Sequence, residues 1–186
     1  QHCGKTTTSL SLIHLARRKY ARVGFIKPMG PKLSSFHEQN IDVDAALIAQ
    51  VYGMDDDLPY MSPVVIEPHT TRDVLDGKIA SSELLKKIKD AVAVLEKKCD
   101  FLIIEGAGHA GVGAVVGLSN AVIAAELKAP VLVVAGGGVG HVIDDISLNL
   151  ALFRAAGADV RMVLPNKLIA EKRERTLRYL KLAFKD

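Results

Sequence analysis

The first residues whose types and order could do chemistry lie at the very start of the chain. Residues 1–7 read QHCGKTT and run directly into a stretch with helical periodicity. This matches the last part of the phosphate-binding loop pattern G-x-x-x-x-G-K-[ST], which lies between a strand and a helix. Glycine lets backbone amides approach a phosphate closely, lysine neutralises its charge, and a threonine hydroxyl can face Mg²⁺. We therefore expect Cys3, Gly4, Lys5, Thr6 and Thr7 to bind the phosphates of a nucleotide.

The start of this loop is missing from the sequence. Its first glycine and the strand before it would lie ahead of residue 1. The competing interpretation is a chance Gly-Lys-Thr at the start of a helix, because three residues alone are a weak motif. The long amphipathic stretch that follows Lys5 favours the phosphate-binding interpretation.

An acid ends an apolar run in the middle of the chain. Residues 101–105 read FLIIE and are followed by Gly106-Ala107-Gly108. A carboxylate at the end of a buried strand is well placed to hold Mg²⁺ directly or through water, opposite Thr6. The competing interpretation of Glu105 is a solvated acid at a strand end.

The same turn offers a second pattern. Residues 106–111 read GAGHAG and match the G-x-G-x-x-G of dinucleotide-binding proteins, with Glu126 about twenty residues on. In that class of protein the acid ends the next strand, whereas Glu126 precedes Pro130 and the strand after it. We therefore do not expect a nicotinamide cofactor.

Apolar periodicity indicates alternating helices and short buried strands. The expected helices are 6–20, 44–52, 81–98, 118–127 and 145–156, and the expected strands are 21–27, 101–104, 131–135 and 160–164. Near-continuous apolar strands spaced by helices predict a three-layer α/β fold, in which a mostly parallel sheet is flanked by helices on both faces. We see no internal repeat or linker, so residues 1–186 are expected to form a single domain.

The sheet predicts where ligands bind. In open α/β folds they lie at the carboxyl ends of the strands, which selects Lys27, Glu105, the turn 136–138 and Asn166. Asp42 or Asp44 is expected at the start of the second helix, where an acid suits the exposed amides. The run Ser81-Ser82-Glu83 is expected to cap the third.

Composition excludes several classes of protein. The net charge of +3 and an aromatic content of 5% without Trp argue against nucleic-acid binding. The most apolar stretch, 110–140, contains Glu126, Lys128 and Pro130, so we expect no membrane span. Cys3 and Cys99 lie far apart, which is typical of a reducing compartment and predicts a cytoplasmic protein.

Taken together, the motifs resemble the dethiobiotin synthetase family of P-loop proteins. That group is related to cobyrinic acid a,c-diamide synthases and to the N-terminal domain of long phosphotransacetylases. The resemblance covers nearly the whole chain, and its segments are GKTTTSLSL, VGFIKPMG, IDVDAALIAQ, FLIIEGAGHAGVG, LKAPVLVVAGGGVG and VLPNK. A closer likeness is to stand-alone members with a G-H-A-G-V-G loop and a preceding T-R-x-x-L-D-G, found here at residues 71–77.

The resemblance implies roles for individual residues. Lys27 matches the lysine that holds the carbamate and the transferring γ-phosphate of ATP; the competing interpretation is a surface lysine at a strand end. Asp44 and Glu105 match two Mg²⁺-binding acids, although Asp42 competes with Asp44 for that role and Asp44 could merely cap its helix. Asn166 matches the residue that reads the adenine edge. The family also implies a homodimer and a short closing strand that this sequence, ending at Asp186, does not reach.

One departure concerns the substrate. Dethiobiotin synthetases commonly follow Glu-Gly-Ala-Gly with Gly and an aromatic residue, whereas His109-Ala110-Gly111 follows here. We take His109 and Arg72 as candidates for substrate selection, Arg72 because its planar guanidinium could hold a carboxylate or phosphate. The competing interpretations are a hydrogen-bonding surface histidine and a solvated arginine. The expected activity is ATP- and Mg²⁺-dependent phosphoryl transfer that activates a carboxylate or carbamate of a small molecule for C–N bond formation. The alternative is a nucleotide-binding regulatory module with little turnover.

Overall fold

The computed structural model describes residues 3–30, 33–36, 39–67 and 69–185, with the backbone alone for residues 33–36 and 39. Gln1 and His2 of the predicted loop lie outside these ranges. The chain separates into two compact units. The unit that we call N-terminal contains residues 6–107 and 112–120, and the C-terminal unit contains residues 108–111, residues 121–186 and the chain up to Lys5.

Helices and strands alternate along the chain. The helices are α1 Lys5–Ala16, α2 Val43–Tyr52, α3 Leu58–Met61, α4 Thr70–Leu75, α5 Ser81–Lys98, α6 Asn120–Glu126, α7 Val139–Ala155 and α8 Arg173–Ala183. The strands are β1 Val23–Ile26, β2 Met29–Gly30, β3 Leu33–Phe36, β4 Gln39–Asp42, β5 Val64–Val65, β6 Phe101–Ile104, β7 Val131–Gly136 and β8 Val160–Asn166. Short 3₁₀ turns lie at Asp55–Asp57, Ala114–Val116 and Ala170–Lys172.

Among the described residues, three strand pairs lie in the N-terminal unit. β1 and β6 are parallel, with Val23 opposite Phe101 and Ile26 opposite Ile104. β2 and β5 are also parallel, while β3 and β4 form an antiparallel hairpin. Leu12, Ile13 and Ala16 of α1 pack on the same core as β1 and β6, and so does Tyr20, which follows the end of that helix. The carboxyl ends of β1 and β6 therefore lie side by side, which brings the residues that follow them together.

The C-terminal unit is built on the parallel pair β7 and β8. Its register runs from Val131 opposite Val160 to Gly136 opposite Asn166. Helix α7 covers this pair with Val142 and Ile146, one helical turn apart, and Leu180 of α8 joins the same cluster. The expected α/β fold class with parallel strands is confirmed.

Several element boundaries differ from the expectation. Helix α6 begins at Asn120, because a 3₁₀ turn and the left-handed Gly117 (φ +72°) precede it. Helix α7 begins at Val139, six residues before the expected start at Asp145, since Val142 already belongs to its buried face. The expectation that Ser81-Ser82-Glu83 caps α5 is wrong: Ser81 is the first helical residue, and Ala80 occupies the cap position without a side-chain hydrogen bond.

The hairpin β3–β4 and the short helices α3 and α4 were not expected. They are too short for the hydrophobic period to be read from the sequence. None of the helices in the described ranges is long and apolar enough to cross a membrane.

Candidate functional site

Glu105 follows β6 directly, and its buried carboxylate lies against the first residues of α1. Its Oε1 accepts a hydrogen bond from Thr6 Oγ1 at 2.9 Å, and its Oε2 accepts one from Ser9 Oγ at 2.6 Å. Its backbone N–H donates to Ile26 O at 2.9 Å, so β1 and β6 fix its position. The expected placement of Glu105 opposite Thr6 is therefore present in the structure. Ser9 was missed, although its spacing of three from Thr6 on a helix places both hydroxyls on one face.

The surroundings of Glu105 shift the pKa of its carboxyl group. Burial raises the pKa of Glu105 above its ordinary value, while the hydroxyls of Ser9 and Thr6 and the positive charge of Lys27 act against that rise. Glu105 and Lys27 follow the paired residues Ile104 and Ile26, so both lie at the same edge of the β1–β6 pair within the N-terminal unit. Glu105 is thus a buried acid with both oxygens engaged, unlike a solvated acid at a strand end.

Thr6 and Glu105 together offer oxygen ligands of the kind that Mg²⁺ prefers. Within the part of the chain that the structure describes, no three His, Cys, Asp or Glu side chains come together as a ready-made metal site. Mg²⁺ at phosphate sites uses one or two protein oxygens and completes its shell with phosphate oxygens and water. The hydroxyl and carboxylate here fit that mode of binding.

Lys27 follows β1 and is buried between two acids. Its Nζ lies 2.8 Å from Asp42 Oδ1, and it forms a second ion pair with Asp44 Oδ2. Its backbone N–H donates to Met61 O at 2.8 Å, which ties the end of β1 to α3. The competing interpretation of Lys27 as a surface lysine does not describe this side chain.

The two acids keep Lys27 charged. Burial acts to lower the pKa of Lys27, but the hydrogen bonds and charges of Asp42 and Asp44 outweigh it, and the net effect raises the pKa. A buried ammonium group of this kind is an electrostatic partner for a negatively charged ligand. It is poorly suited to act as a nucleophile, because a nucleophilic lysine must lose its proton.

Asp42 and Asp44 occupy different environments at the start of α2. Asp42 is the N-cap: its side chain accepts from Asp44 N at 2.9 Å, and its own backbone N–H donates to Ser62 Oγ at 3.3 Å. The side chain of Asp42 is 0% exposed and that of Asp44 is 23% exposed. A Cβ at Gly30 would overlap Asp42, so glycine is required there. Asp42 is therefore the cap, and Asp44 is the carboxylate that an incoming ligand can reach more easily.

Within the C-terminal unit, Cys3 and Lys5 form hydrogen bonds with Asn166 and Gly108. Lys5 Nζ donates to Gly108 O at 2.7 Å, and Asn166 Nδ2 donates to Cys3 O at 2.8 Å. Gly4 has φ +91°, a left-handed conformation that favours glycine. The predicted phosphate-loop residues Cys3, Gly4 and Lys5 thus lie beside Gly108 and Asn166. Thr7, one residue beyond Thr6, is exposed on α1.

His109 and Arg72 are both exposed. His109 Nδ1 accepts from Gly111 N at 3.2 Å, and the next residue of the loop, Ala110, donates its backbone N–H to the buried Asn149 Oδ1 at 2.8 Å. Asn149 was not foreseen, because a lone Asn on a helix has no local signature. Arg72 lies on α4 and makes no side-chain hydrogen bond or ion pair with the described residues around Glu105.

The GAGHAG turn does not have the geometry of a dinucleotide fingerprint. That fingerprint opens directly into a helix whose N-terminus receives the pyrophosphate. Here residues 106–113 form turns and α6 begins only at Asn120. Asn120 instead ties the turn together, because its Nδ2 donates to Ala107 O at 2.5 Å.

Comparison with known proteins gives relatives of one lineage. A family model described as an AAA domain matches residues 1–181. An ATP-dependent dethiobiotin synthetase BioD from Methanocaldococcus jannaschii is 32% identical over 109 residues, which is 56% of this chain and 47% of that protein. A phosphate acetyltransferase from Nitratidesulfovibrio vulgaris is 29% identical over 179 residues, covering 92% of this chain and 24% of that protein.

A cobyric acid synthase from Thermodesulfovibrio yellowstonii is 27% identical over 152 residues, covering 72% of this chain and 31% of that protein. The chain therefore spans half or less of the length of the curated relatives that it matches. Their match and the residues brought together at the ends of β1 and β6 agree with the resemblance seen in the sequence. The chain belongs to the AAA domain family and is a dethiobiotin synthetase-like P-loop NTPase.

Proposed function

We propose that this protein binds ATP with Mg²⁺ and transfers the γ-phosphoryl group to a carboxylate or carbamate oxygen of a small molecule. The products are ADP and a mixed phosphoric anhydride, from which a nitrogen nucleophile then displaces phosphate to form a C–N bond. The single observation that carries the proposal is the buried ammonium group of Lys27, which is held by Asp42 and Asp44 at the sheet edge where Glu105 also lies. Such a cation serves a reaction in which negative charge moves between two oxygens.

Each residue of this cluster has a role in the proposal. Thr6 and Glu105 would hold Mg²⁺, and Asp44 would contact it directly or through water. When bound, the ion neutralises negative charge on the phosphates. Lys27 stabilises the phosphoryl group in transfer, and the enzyme itself forms no covalent intermediate.

The nucleotide itself would be held by the phosphate loop. Cys3, Gly4, Lys5 and Thr7 contribute backbone amides and one charge to the phosphates. Asn166 would contact the base, as the resemblance implies. The ammonium group of Lys5 rests on the Gly108 carbonyl and would exchange that neutral acceptor for a charged phosphate oxygen, which forms the stronger hydrogen bond.

The acceptor is defined only by its class. The M. jannaschii relative is named an ATP-dependent dethiobiotin synthetase and the T. yellowstonii relative a cobyric acid synthase, which supports a carboxylate or carbamate acceptor. His109 is the candidate for acceptor selection on the loop after Gly108, and Arg72 is the second candidate. A homodimer and a cytoplasmic location remain predictions, and light scattering tests the first.

The proposal is tested by measuring ADP release from the full-length protein with ATP and Mg²⁺. One series adds bicarbonate with diamino acids, and another adds polycarboxylic acids with ammonia. We expect one series to stimulate ADP release and Lys27→Ala to abolish the stimulation. Lys87→Ala, an exposed lysine on α5, is the matched control and should behave as the natural protein. The absence of stimulation by every acceptor would contradict the proposal.

A second function is favoured by the extent of one match. The phosphate acetyltransferase relative covers 92% of this chain, so the same unit occurs within a larger protein that is named for another reaction. A nucleotide-binding regulatory module would bind ATP and change oligomeric state with little turnover. In that case Lys27→Ala would leave the response to ATP intact, as measured by light scattering with and without nucleotide.

A further inference from the structure

Asn166 reaches from the end of β8 to the backbone of the phosphate loop. Its Nδ2 donates to the carbonyl oxygen of Cys3 at 2.8 Å, across 163 positions of sequence. A backbone carbonyl can only accept hydrogen bonds, so the nitrogen of the amide must face it. This contact therefore determines the orientation of the Asn166 side chain.

The packing around Gly4 shows that this contact is built into the loop. A Cβ at Gly4 would lie 2.5 Å from Asn166 Nδ2 and would displace that amide, and Gly4 also has φ +91°, which favours glycine. In the paired strand β7, a Cβ at Gly136 would lie 3.1 Å from the backbone carbonyl oxygen of Asn166. Gly4 thus leaves room for the Asn166 side chain against the loop, and pairing with Gly136 holds the Asn166 backbone in the sheet.

Peptide geometry gives this contact a consequence for ligand binding. The C=O of Cys3 and the N–H of Gly4 belong to one planar trans peptide and point in opposite directions. Holding the carbonyl of Cys3 on Asn166 therefore sets the direction of the Gly4 N–H. In a phosphate loop the direction of such N–H groups decides whether they face the anion.

We infer that Asn166 is a positioning residue of the phosphate loop, in addition to any contact with the base. It sets the Cys3–Gly4 peptide so that the loop binds a chain of phosphates. The inference rests on the proposed nucleotide binding. It differs from base reading alone, because it requires Asn166 to affect a ligand that has no base.

Inorganic tripolyphosphate is that ligand. Calorimetric titration of the full-length protein with tripolyphosphate and with ATP, each with Mg²⁺, compares the natural protein with Asn166→Asp and Asn166→Ala. The Asp variant keeps the shape of the side chain but places an acceptor against the Cys3 carbonyl. We expect both variants to lose roughly tenfold in tripolyphosphate affinity, as the loss of one hydrogen bond implies. Arg161→Ala, an exposed residue of the same strand, should bind as the natural protein does.

The outcomes separate the inference from the proposed function. If the variants bind tripolyphosphate as tightly as the natural protein while ATP binding weakens, Asn166 reads only the base and the inference is overturned. If the natural protein binds neither ligand, the proposed function fails and the inference fails with it. The backbone amide resonance of Gly4 gives a second measurement without ligand: it should shift in folded Asn166→Ala, and an unchanged resonance would overturn the inference.

Discussion

The ammonium group of Lys27 lies 2.8 Å from the carboxylate of Asp42, and both side chains are almost completely buried. Asp42 simultaneously caps α2 by accepting from Asp44 N. One carboxylate therefore joins the end of β1 to the start of α2, and it holds the cation on which the proposed chemistry depends. This double role can be separated by substitution.

Asp42→Asn should retain the cap and lose the charge, since Asn caps helices as well as Asp does. Because Asp44 still pairs with Lys27, we expect the free energy of unfolding to fall by about 2 kcal/mol, below the usual cost of breaking a buried pair. Asp42→Ala also loses the cap and should cost about 1 kcal/mol more. Denaturant unfolding measures both values. Adding Lys27→Met to Asp42→Asn should recover part of the lost stability. Equal stability of Asp42→Asn and Asp42→Ala would contradict the double role of Asp42.

The raised pKa of Glu105 should make the free energy of unfolding of the ligand-free protein depend on pH. Its pKa is raised in the folded protein above the ordinary value of 4.5, chiefly by burial. The folded state therefore binds more protons than the unfolded state between those two pKa values, and stability falls as pH rises through that window. Glu105→Gln should remove this part of the pH dependence. Unfolding free energies measured across the window in both proteins check the sign, and parallel curves would contradict it.

Ser9→Ala removes the hydroxyl that donates to Glu105 Oε2 at 2.6 Å. Since this hydrogen bond lowers the pKa of Glu105, its loss should raise that pKa further and widen the window in which stability falls. We expect a loss of about 1–2 kcal/mol in stability, because a buried acceptor loses its partner. Ser11→Ala, an exposed serine on the same helix, is the control and should have little effect on either quantity.

Gly30→Ala should disturb the ion pair between Lys27 and Asp42, because Gly30 packs against the Asp42 side chain. The added methyl group overlaps Asp42, whose side chain is buried and cannot move aside. We expect a loss of about 1–3 kcal/mol, typical of overpacking, together with weaker ATP-dependent turnover. Gly140→Ala is the matched control: it lies in α7 with nothing within 4 Å of the added Cβ, and it should be neutral or stabilising.

The proposed contact of Asn166 with the base should make the protein prefer ATP over GTP. Its Nδ2 is used by the Cys3 carbonyl, so the side chain offers Oδ1, an acceptor, to a ligand. Adenine presents an exocyclic amine that can donate to this oxygen, whereas guanine presents a carbonyl at the same place. We expect ATP to bind about tenfold more tightly than GTP. Competition binding measures the ratio, and equal affinity would contradict this contact.

Much of the site could be predicted because it lies at strand ends. An apolar run followed by Lys27, Glu105 or Asn166 places a polar residue at the carboxyl end of a strand, and parallel pairing of β1 with β6 brings two of these ends together. Thr6 could be placed opposite Glu105 because the phosphate-loop pattern puts it at the start of a helix. The boundaries of α6 and α7 were less accessible, because glycine-rich turns and tertiary packing set them rather than the hydrophobic period.

The sequence by itself determined the lineage, the α/β fold class and the residues at the ends of the strands, since local periodicity and short motifs carry that information. Only the tertiary structure decided that Asp42 caps α2 and pairs with Lys27, that Ser9 shares Glu105 with Thr6, and that Asn149 holds the loop of His109. Most of these partners are far apart in the chain, whereas the two candidate cap residues, Asp42 and Asp44, are only two positions apart. Which of them meet depends on how helices pack against strands, and no pattern of neighbouring residues records that packing.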